Sequence, residues 1–406
     1  VFVGWIAFNL LLTVVGMKFY HVPIITSLLD TDWYKFTQNQ VVFHQFPEAV
    51  AHYEFINRGK TQFPDGFADA LKKELKYLSK IELTPDEYYW LEDQLALKSD
   101  YLDWLANYNF NPSQVHIKQT GGDLKITIEG LWEETILFEV PLMAIISELY
   151  FRMTNQVITD NSPYEKIATK GKALDDAGVN WIDFGTRRRY SKEIQDAVDR
   201  TMYDFKHFLG TSNPYFAMMY DLKPVGTFAH ETLMAMQAKY SATEANRKWM
   251  EYWHEEYSNR NHMLIALTDT LTTEVFFRDF NKNLAEKFAG VRQDSGDPFE
   301  FGQKMIDHYK KLGINPKTKN IVFSDSLNTD KAIRLQERFG NEIKCVMGIG
   351  TDLSNDCGFK PLNMVIKLTA IDFGNGFKNV VKLSDDAGKH TGDPTTIAAV
   401  KKELNL

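Results

Sequence analysis

The run Arg292-Gln293-Asp294-Ser295-Gly296-Asp297-Pro298 gathers more chemically capable side chains than any other stretch of this chain. Two carboxylates three residues apart, with a glycine between and an arginine beside, can hold a hydrated Mg²⁺ while the arginine grips a phosphate. Ser-Gly-Asp-Pro before a helix is also ordinary capping and turn chemistry. An arginine and an aspartate together at a strand end exceed what a cap needs. Asp269 and Asp325 close neighbouring apolar runs and could join the same anionic-substrate site. Gly348-Ile349-Gly350-Thr351 closes another, where two small residues let backbone N–H groups approach a phosphate and Thr351 adds a hydroxyl.

Arg187, Arg188 and Arg189 follow Asp183-Phe184-Gly185. Three consecutive arginines cannot all face one way. One pointing inward would bind a planar carboxylate bidentately, and Phe184 could stack a flat ring; the alternative is a solvated cluster of surface pairs. Gly210-Thr211-Ser212-Asn213 offers neutral donors, Ser212 among them. His230 ends the run GTFAHE beside Glu231, a position that raises it above the other histidines. His254 and His262 lack a metal-binding spacing and read as surface or interface residues. No HExxH, Walker A loop, GxGxxG or GxSxG is present, which argues against zinc-protease, P-loop, Rossmann and α/β-hydrolase chemistry.

The elements that must position these groups follow from periodicity. Six short apolar runs end in polar residues: 181–188, 225–231, 264–270, 289–297, 321–328 and 345–351. Amphipathic helical text separates several of them. That alternation predicts a βα-barrel or large parallel sheet, with functional groups at the C-terminal strand ends. Upstream, 83–95 and 100–108 carry helical spacing, the first starting at Thr84-Pro85. Alternating segments around Gly121-Gly122-Asp123 predict a hairpin, and 140–153 predicts a helix buried between domains. A second hairpin around Gly374-Asn375-Gly376 could return to the N-terminal part.

Composition sets the outer limits. The chain has 406 residues, 44% hydrophobic and 25% charged, enough for one large domain or two ordinary ones. A net charge of -8, from 46 basic and 54 acidic residues, argues against a general nucleic-acid binder. Cys345 and Cys357 are too few for a disulfide framework and fit a reducing cytoplasm. Residues 1–16 are apolar with no Lys or Arg, so they lack a signal peptide's basic region. They also fall short of the ~20 residues a membrane span needs. Met17 reads as the better start, with 1–16 an extension outside the fold.

In order and spacing, the chain resembles the nicotinate phosphoribosyltransferases. The matching stretches are LLDTDWYKFTQNQ (28–40), DFGTRRRYS (183–191), GTSN (210–213), GTFAHE (226–231), LTDT (267–270), RQDSGDP (292–298), FSDSL (323–327), GIGT (348–351), KPLNMVIKL (360–368) and KLSD (382–385). The resemblance implies a type II phosphoribosyltransferase fold: an irregular α/β barrel (141–358), an N-terminal α/β domain (17–140), and a C-terminal segment (359–406) returning to it. It also implies a homodimer with active sites at the subunit interface, no membrane, and no nucleic-acid partner. The implied reaction joins nicotinate to phosphoribosyl pyrophosphate, giving nicotinate mononucleotide and diphosphate, the first step of NAD salvage from nicotinate. ATP is the implied co-substrate, hydrolysed through a phosphohistidine that falls on His230.

By the same resemblance, Asp294 and Asp325 would contact the ribose or the metal-bound diphosphate and serve as Mg²⁺ ligands, and Arg292 would bind phosphates. Gly348, Gly350 and Thr351 would cradle the 5′-phosphate. Phe184 would stack one face of the pyridine, Tyr34 of a partner subunit the other, and Arg187 would meet the carboxylate. Ser212, Asp269, Ser295 and Asp297 complete the expected substrate-contacting set. Relatives that use nicotinamide place an acid near the segment matching GTSN; Ser212-Asn213 offers none, which favours nicotinate. An aldolase would need a Schiff-base lysine at a strand end, and none of the six supplies one. A non-catalytic sensor is expected to have lost His230 or the acid cluster, and both are present.

Overall fold

The computed structural model describes residues 22–386 and 389–406; the expectations for residues 1–16 and for Met17 lie outside them. The N-terminal part runs through α1 (Trp33–Gln45), β1 (Val50–Ile56), α2 (Pro85–Asp93), α3 (Ser99–Ala106), β2 (Val115–Thr120), β3 (Asp123–Leu131) and α4 (Glu139–Met153). Strands β4 (Trp181–Asp183), β5 (Phe208–Thr211), β6 (Ile265–Leu267), β7 (Gly290–Gln293), β8 (Asn320–Phe323) and β9 (Lys344–Ile349) follow. Among them lie α5 (His230–Lys239), α6 (Ala242–Tyr257), α7 (Pro298–Lys311) and α8 (Thr329–Phe339). The chain returns through β10 (Val365–Asp372) and β11 (Lys378–Asn379).

Local chemistry accounts for these elements. Thr84 starts α2 with a full capping box: its hydroxyl accepts from the Glu87 N–H at 3.3 Å, and the Glu87 carboxylate accepts from the Thr84 N–H at 2.9 Å. Strands β2 and β3 join through Gly121 and Gly122, with Gly121 at a φ of +57° that suits the tight turn. Helix α4 is buried along nearly its whole length, as a helix apolar on every side must be. It begins at Glu139, so position 140 falls inside an element.

Two sheets carry the fold. One is antiparallel, ordered β11-β10-β1-β3-β2, so the C-terminal hairpin lies against β1 and completes the N-terminal sheet. The other is parallel, ordered β5-β4-β9-β8-β7-β6. Six strands are present as the periodicity predicts, but one differs. The run 225–231 forms no strand: its residues up to Ala229 are irregular and His230 opens α5. Phe208–Thr211 takes a strand position instead, and a bridge from Thr211 to Pro224 holds the irregular segment beside it. Gly226 and Pro224 in one short run explain why a regular strand fails there.

Buried charges clamp the two parts together. Arg189, fully buried, grips Asp30 bidentately at 2.7 and 2.9 Å. Lys35, equally buried, pairs with Glu139 at 2.6 Å and with Glu231. These attractions, despite burial, hold Asp30 down near a pKa of about 2 and raise Lys35 above the ordinary lysine range. Removing one partner strands the other charge in the interior. Arg189→Met is therefore expected to cost about 3–5 kcal/mol of stability in urea unfolding; a loss near zero would show that the pair does not hold the parts together.

Candidate functional site

One cavity of about 960 Å³ opens between the two sheets. Strand ends of the parallel sheet supply Phe184, Arg187, Ser212, Arg292, Asp294, Asp325, Gly348, Gly350 and Thr351. The N-terminal part adds Asp32, Tyr34, Arg58 and Glu139, and the C-terminal segment adds Lys367, Lys382 and Lys389. Sequence reasoning singled out none of Asp32, Arg58, Glu139 or the three lysines. Their signal was available only in part: Asp32, Lys367 and Lys382 sit within stretches that carry the family resemblance, LLDTDWYKFTQNQ, KPLNMVIKL and KLSD.

Two aromatic side chains, Phe184 and Tyr34, line the cavity. A side-chain carbon on Gly348 would lie 2.5 Å from the Phe184 ring, and one on Gly226 would lie 3.0 Å from the Tyr34 backbone nitrogen. Both glycines therefore make room for an aromatic residue. Tyr34 is buried with its hydroxyl unpartnered among the described residues. It lines the same cavity as Phe184 of the same chain. Arg187 stands 3.6 Å from Asp32 and 3.6 Å from Glu139.

The acid absent from 210–213 arrives from elsewhere. Ser212 donates to Asp32 at 2.6 Å, and burial pushes the Asp32 carboxyl up against the opposing pull of Arg187 and Ser212. A carboxyl there can accept a hydrogen bond, whereas the Arg187 guanidinium can only donate. The pocket's preference between a carboxylate and a carboxamide thus involves Asp32, Glu139 and Arg187 together, not the 210–213 segment alone.

His230 forms the other centre. Its Nδ1 lies 2.9 Å from the Thr270 hydroxyl; its Nε2 lies 2.9 Å from Asp294 and 2.8 Å from the Lys382 ammonium. An ammonium can only donate and a carboxylate can only accept, so the two compete for the same nitrogen. Burial, then the Lys382 charge, pull the imidazole down to a pKa of about 4. Burial pushes the Asp294 carboxyl up, but the His230 hydrogen bond and the Arg292 and Lys382 charges outweigh it and hold Asp294 well below the usual range. The result is a neutral imidazole beside an ionised carboxylate, a nucleophile that needs no prior deprotonation.

Three expected substrate contacts take supporting positions. Asp297 is the N-cap of α7, accepting from the Phe299 and Glu300 N–H groups at 2.7 and 3.0 Å, so its carboxylate is committed to the helix. Ser295 is buried and donates to Asp269 at 2.6 Å. Asp269, fully buried, sits behind His230 and 3.2 Å from Lys382. None of the three lines the cavity.

The ligand atoms of His230, Asp269 and Asp294 lie within 4.8 Å of one another, close enough to suggest a metal. Lys382 already places its ammonium 2.8, 3.2 and 4.0 Å from them, so that centre carries its own cation. Asp325, in turn, is spanned by Lys389 at 2.9 and 3.0 Å. Asp294 and Asp325 both line the cavity, and Asp294 also accepts from the Ser324 hydroxyl at 2.9 Å.

Residues 179–406 match the nicotinate phosphoribosyltransferase (NAPRTase) family, and residues 29–147 match the N-terminal domain of the same family. A nicotinate phosphoribosyltransferase of Desulforapulum autotrophicum is 44% identical over 387 residues, covering 94% of this chain and 99% of that protein. One from Chromohalobacter salexigens is 42% identical over 392 residues, covering 94% and 99%. The crystal structure of nicotinate phosphoribosyltransferase from Porphyromonas gingivalis superposes with a TM-score of 0.92 at 36% identity, covering 94% of this chain and all of that one (100%). Among the described residues no helix is long and apolar enough to cross a membrane.

The buried imidazole yields a pH prediction. Its folded pKa, about 4, lies below the ordinary 6.5, so the unfolded chain takes up the proton first as pH falls. The stability this group contributes is complete above about pH 7 and is lost as pH drops from about 6.5 toward 4. In an NMR titration the His230 ring should show no change above about pH 5, and Lys382→Met should move its midpoint upward. A wild-type midpoint between about 6 and 7 would contradict the assignment.

Proposed function

Because this chain belongs to the nicotinate phosphoribosyltransferase family, we propose that its cavity joins nicotinate to phosphoribosyl pyrophosphate, giving nicotinate mononucleotide and diphosphate. The observation that carries the reading is the continuity of the cavity. Two aromatic rings and Arg187 share it with the Gly348–Thr351 turn, with Asp294 and with His230.

Each end has a chemical task. The pyridine nitrogen is already a free nucleophile and needs no general base. The barrier lies in separating C1 of the ribose from its diphosphate, through a transition state of oxocarbenium character. Positioning the two partners and stabilising the departing charge are then the main catalytic effects. Phe184 and Tyr34 enclose the ring, and Arg187 meets the carboxylate. Gly350 and Thr351 take the 5′-phosphate, and Arg292 neutralises phosphate charge. Asp294 and Asp325 face the ribose and would hold Mg²⁺. When bound, that ion would supply charge neutralisation on the diphosphate.

ATP is the proposed co-substrate. A ring nitrogen of His230 attacks the terminal phosphorus, the bond to ADP breaks, and water later cleaves the phosphorus–nitrogen bond to release phosphate. The neutral imidazole between Asp294 and Thr270 supports this step. We also propose a homodimer in solution, to be checked by sedimentation. A cytoplasmic location agrees with the two free cysteines, Cys345 and Cys357.

Mass spectrometry tests the whole scheme. Protein, Mg²⁺, phosphoribosyl pyrophosphate and ATP receive either nicotinate or nicotinamide, with His230→Ala beside the wild type. Nicotinate mononucleotide with ADP release is expected, and ADP release should vanish in the variant. Product from nicotinamide in place of nicotinate would move the activity to the amide. In the same assay Arg187→Met should raise the KM for nicotinate about 10- to 100-fold, the value of a lost charge-assisted hydrogen bond.

A further inference from the structure

Asp183 ends β4 directly before Phe184, yet it does not line the cavity. It is fully buried, and both carboxylate oxygens are engaged. Oδ1 accepts from the Gly185 N–H at 2.9 Å. Oδ2 accepts from the Gln195 side chain at 2.8 Å and from the Thr211 hydroxyl at 3.1 Å. Its backbone carbonyl accepts from the Ser212 N–H at 2.8 Å. One residue thus ties the turn that carries Phe184 and Arg187 to the exit of β5 that carries Ser212.

The partners of that carboxylate cannot rearrange around a substitute. Gln195, on the helix Lys192–Met202, accepts from Arg189 at 3.1 Å and donates to Asp183 and, at 2.9 Å, to the Thr186 hydroxyl. An arginine only donates, so the Gln195 amide cannot be turned over. The Gly185 N–H is likewise only a donor. A side-chain carbon on Gly185 would lie 2.8 Å from Asp183 Oδ1 and would also strike the Ser354 hydroxyl, so this close approach requires glycine. Burial pushes the Asp183 carboxyl up to about 6, against the pull of Gln195, Gly185 and Thr211.

Asp199, one turn further along the same helix, supplies the contrast. It is equally buried, and both its carboxylate oxygens are unpartnered among the described residues. Burial, then the Asp183 charge, raise it well above the usual carboxylate range. It is a neighbouring buried acid with no bond to the turn.

We infer that Asp183 is a positioning residue: its carboxylate sets the turn that presents Phe184 and Arg187 to the cavity. This rests on the reading of that turn as the place where nicotinate binds, and it names the group that holds the turn in shape. Asparagine cannot replace it. Whichever way its amide is turned, the NH₂ group meets either the Gly185 N–H or the Gln195 NH₂, and one buried donor is stranded.

Steady-state kinetics with nicotinate and phosphoribosyl pyrophosphate provide the test. Asp183→Asn should raise the KM for nicotinate about 10- to 100-fold, the value of a hydrogen bond to a charged group, and move that for phosphoribosyl pyrophosphate by less than about threefold. Thr211→Val removes one donor and keeps the shape, so the rise should be about 3- to 10-fold. Asp199→Asn should leave both KM values within about twofold of wild type. In an Arg187→Met background, Asp183→Asn should add less than about threefold, because both substitutions spoil one contact with the substrate.

A purely structural role gives another pattern: less folded enzyme and a lower apparent kcat, with both KM values unchanged and the Asp183 and Arg187 effects additive. That pattern overturns the proposal, as does an Asp199→Asn variant that matches Asp183→Asn. Should Asp183→Asn not fold, a folded Thr211→Val with wild-type KM for nicotinate overturns it equally. Crystal structures of the two variants read the turn without activity. Phe184 and Arg187 should move by about 1 Å, a shift large enough to cost the contact; an unmoved turn rejects the positioning role. Wild type that fails to convert nicotinate would reject the reaction, while a displaced turn in the variants would keep Asp183 as the residue that sets it.

Discussion

Charge buried at the entrance to α1 is the constraint on which the rest of this structure depends. Asp30, Asp32 and Lys35 are all withdrawn from water within six residues, and none can find its partner locally. Asp30 needs Arg189 from the turn after β4, Asp32 needs Ser212 beyond β5, and Lys35 needs Glu139 and Glu231. An unpaired buried charge costs several kcal/mol, so these four segments must converge before any of them is satisfied. The cavity is the space their convergence encloses.

The chemical division of that space follows from the same contacts. Glu139 serves Lys35 with one oxygen and faces Arg187 with the other, which fixes the Arg187 side of the cavity. Glu231 holds the first turn of α5 to Lys35, Gln38 and the Tyr53 hydroxyl, and His230 precedes it directly. The residue that follows His230 and the acid that faces Arg187 are therefore joined through one buried lysine. The C-terminal segment closes the opposite side: Lys382 supplies the cation beside His230, and the Leu383 N–H donates to the Thr270 carbonyl at 2.8 Å.

What the sequence discloses and what it hides divide along physical lines. Short apolar runs ending in polar residues reveal five of the six parallel strands, because burial and position are written in the same few residues. The sixth is misplaced because GTFAHE and FLGT have similar local texture; only the Pro224–Gly226 irregularity separates them. Asp297 illustrates a second limit. Its spacing from Asp294 suggests a ligand pair, yet the Pro298 beside it marks the helix start it actually caps. Arg58, Glu139 and Lys389 lie outside any recognisable motif, and the chain brings them to the site only through β1, α4 and the return of the C-terminal segment. The Arg187–Arg189 run shows the mixture most clearly: its composition announces an anion site, but the separate fates of the three side chains depend on Asp30, Asp32 and Glu139.

The most direct measurement is a crystal structure of the protein with nicotinate mononucleotide, diphosphate and Mg²⁺. The pyridine is expected between Phe184 and Tyr34 with its carboxylate on Arg187, and the 5′-phosphate at Gly350 and Thr351. The diphosphate should lie beside Asp294. A nucleotide bound outside this cavity, or one with its phosphate at Arg187 and its ring at the glycine turn, would contradict the account.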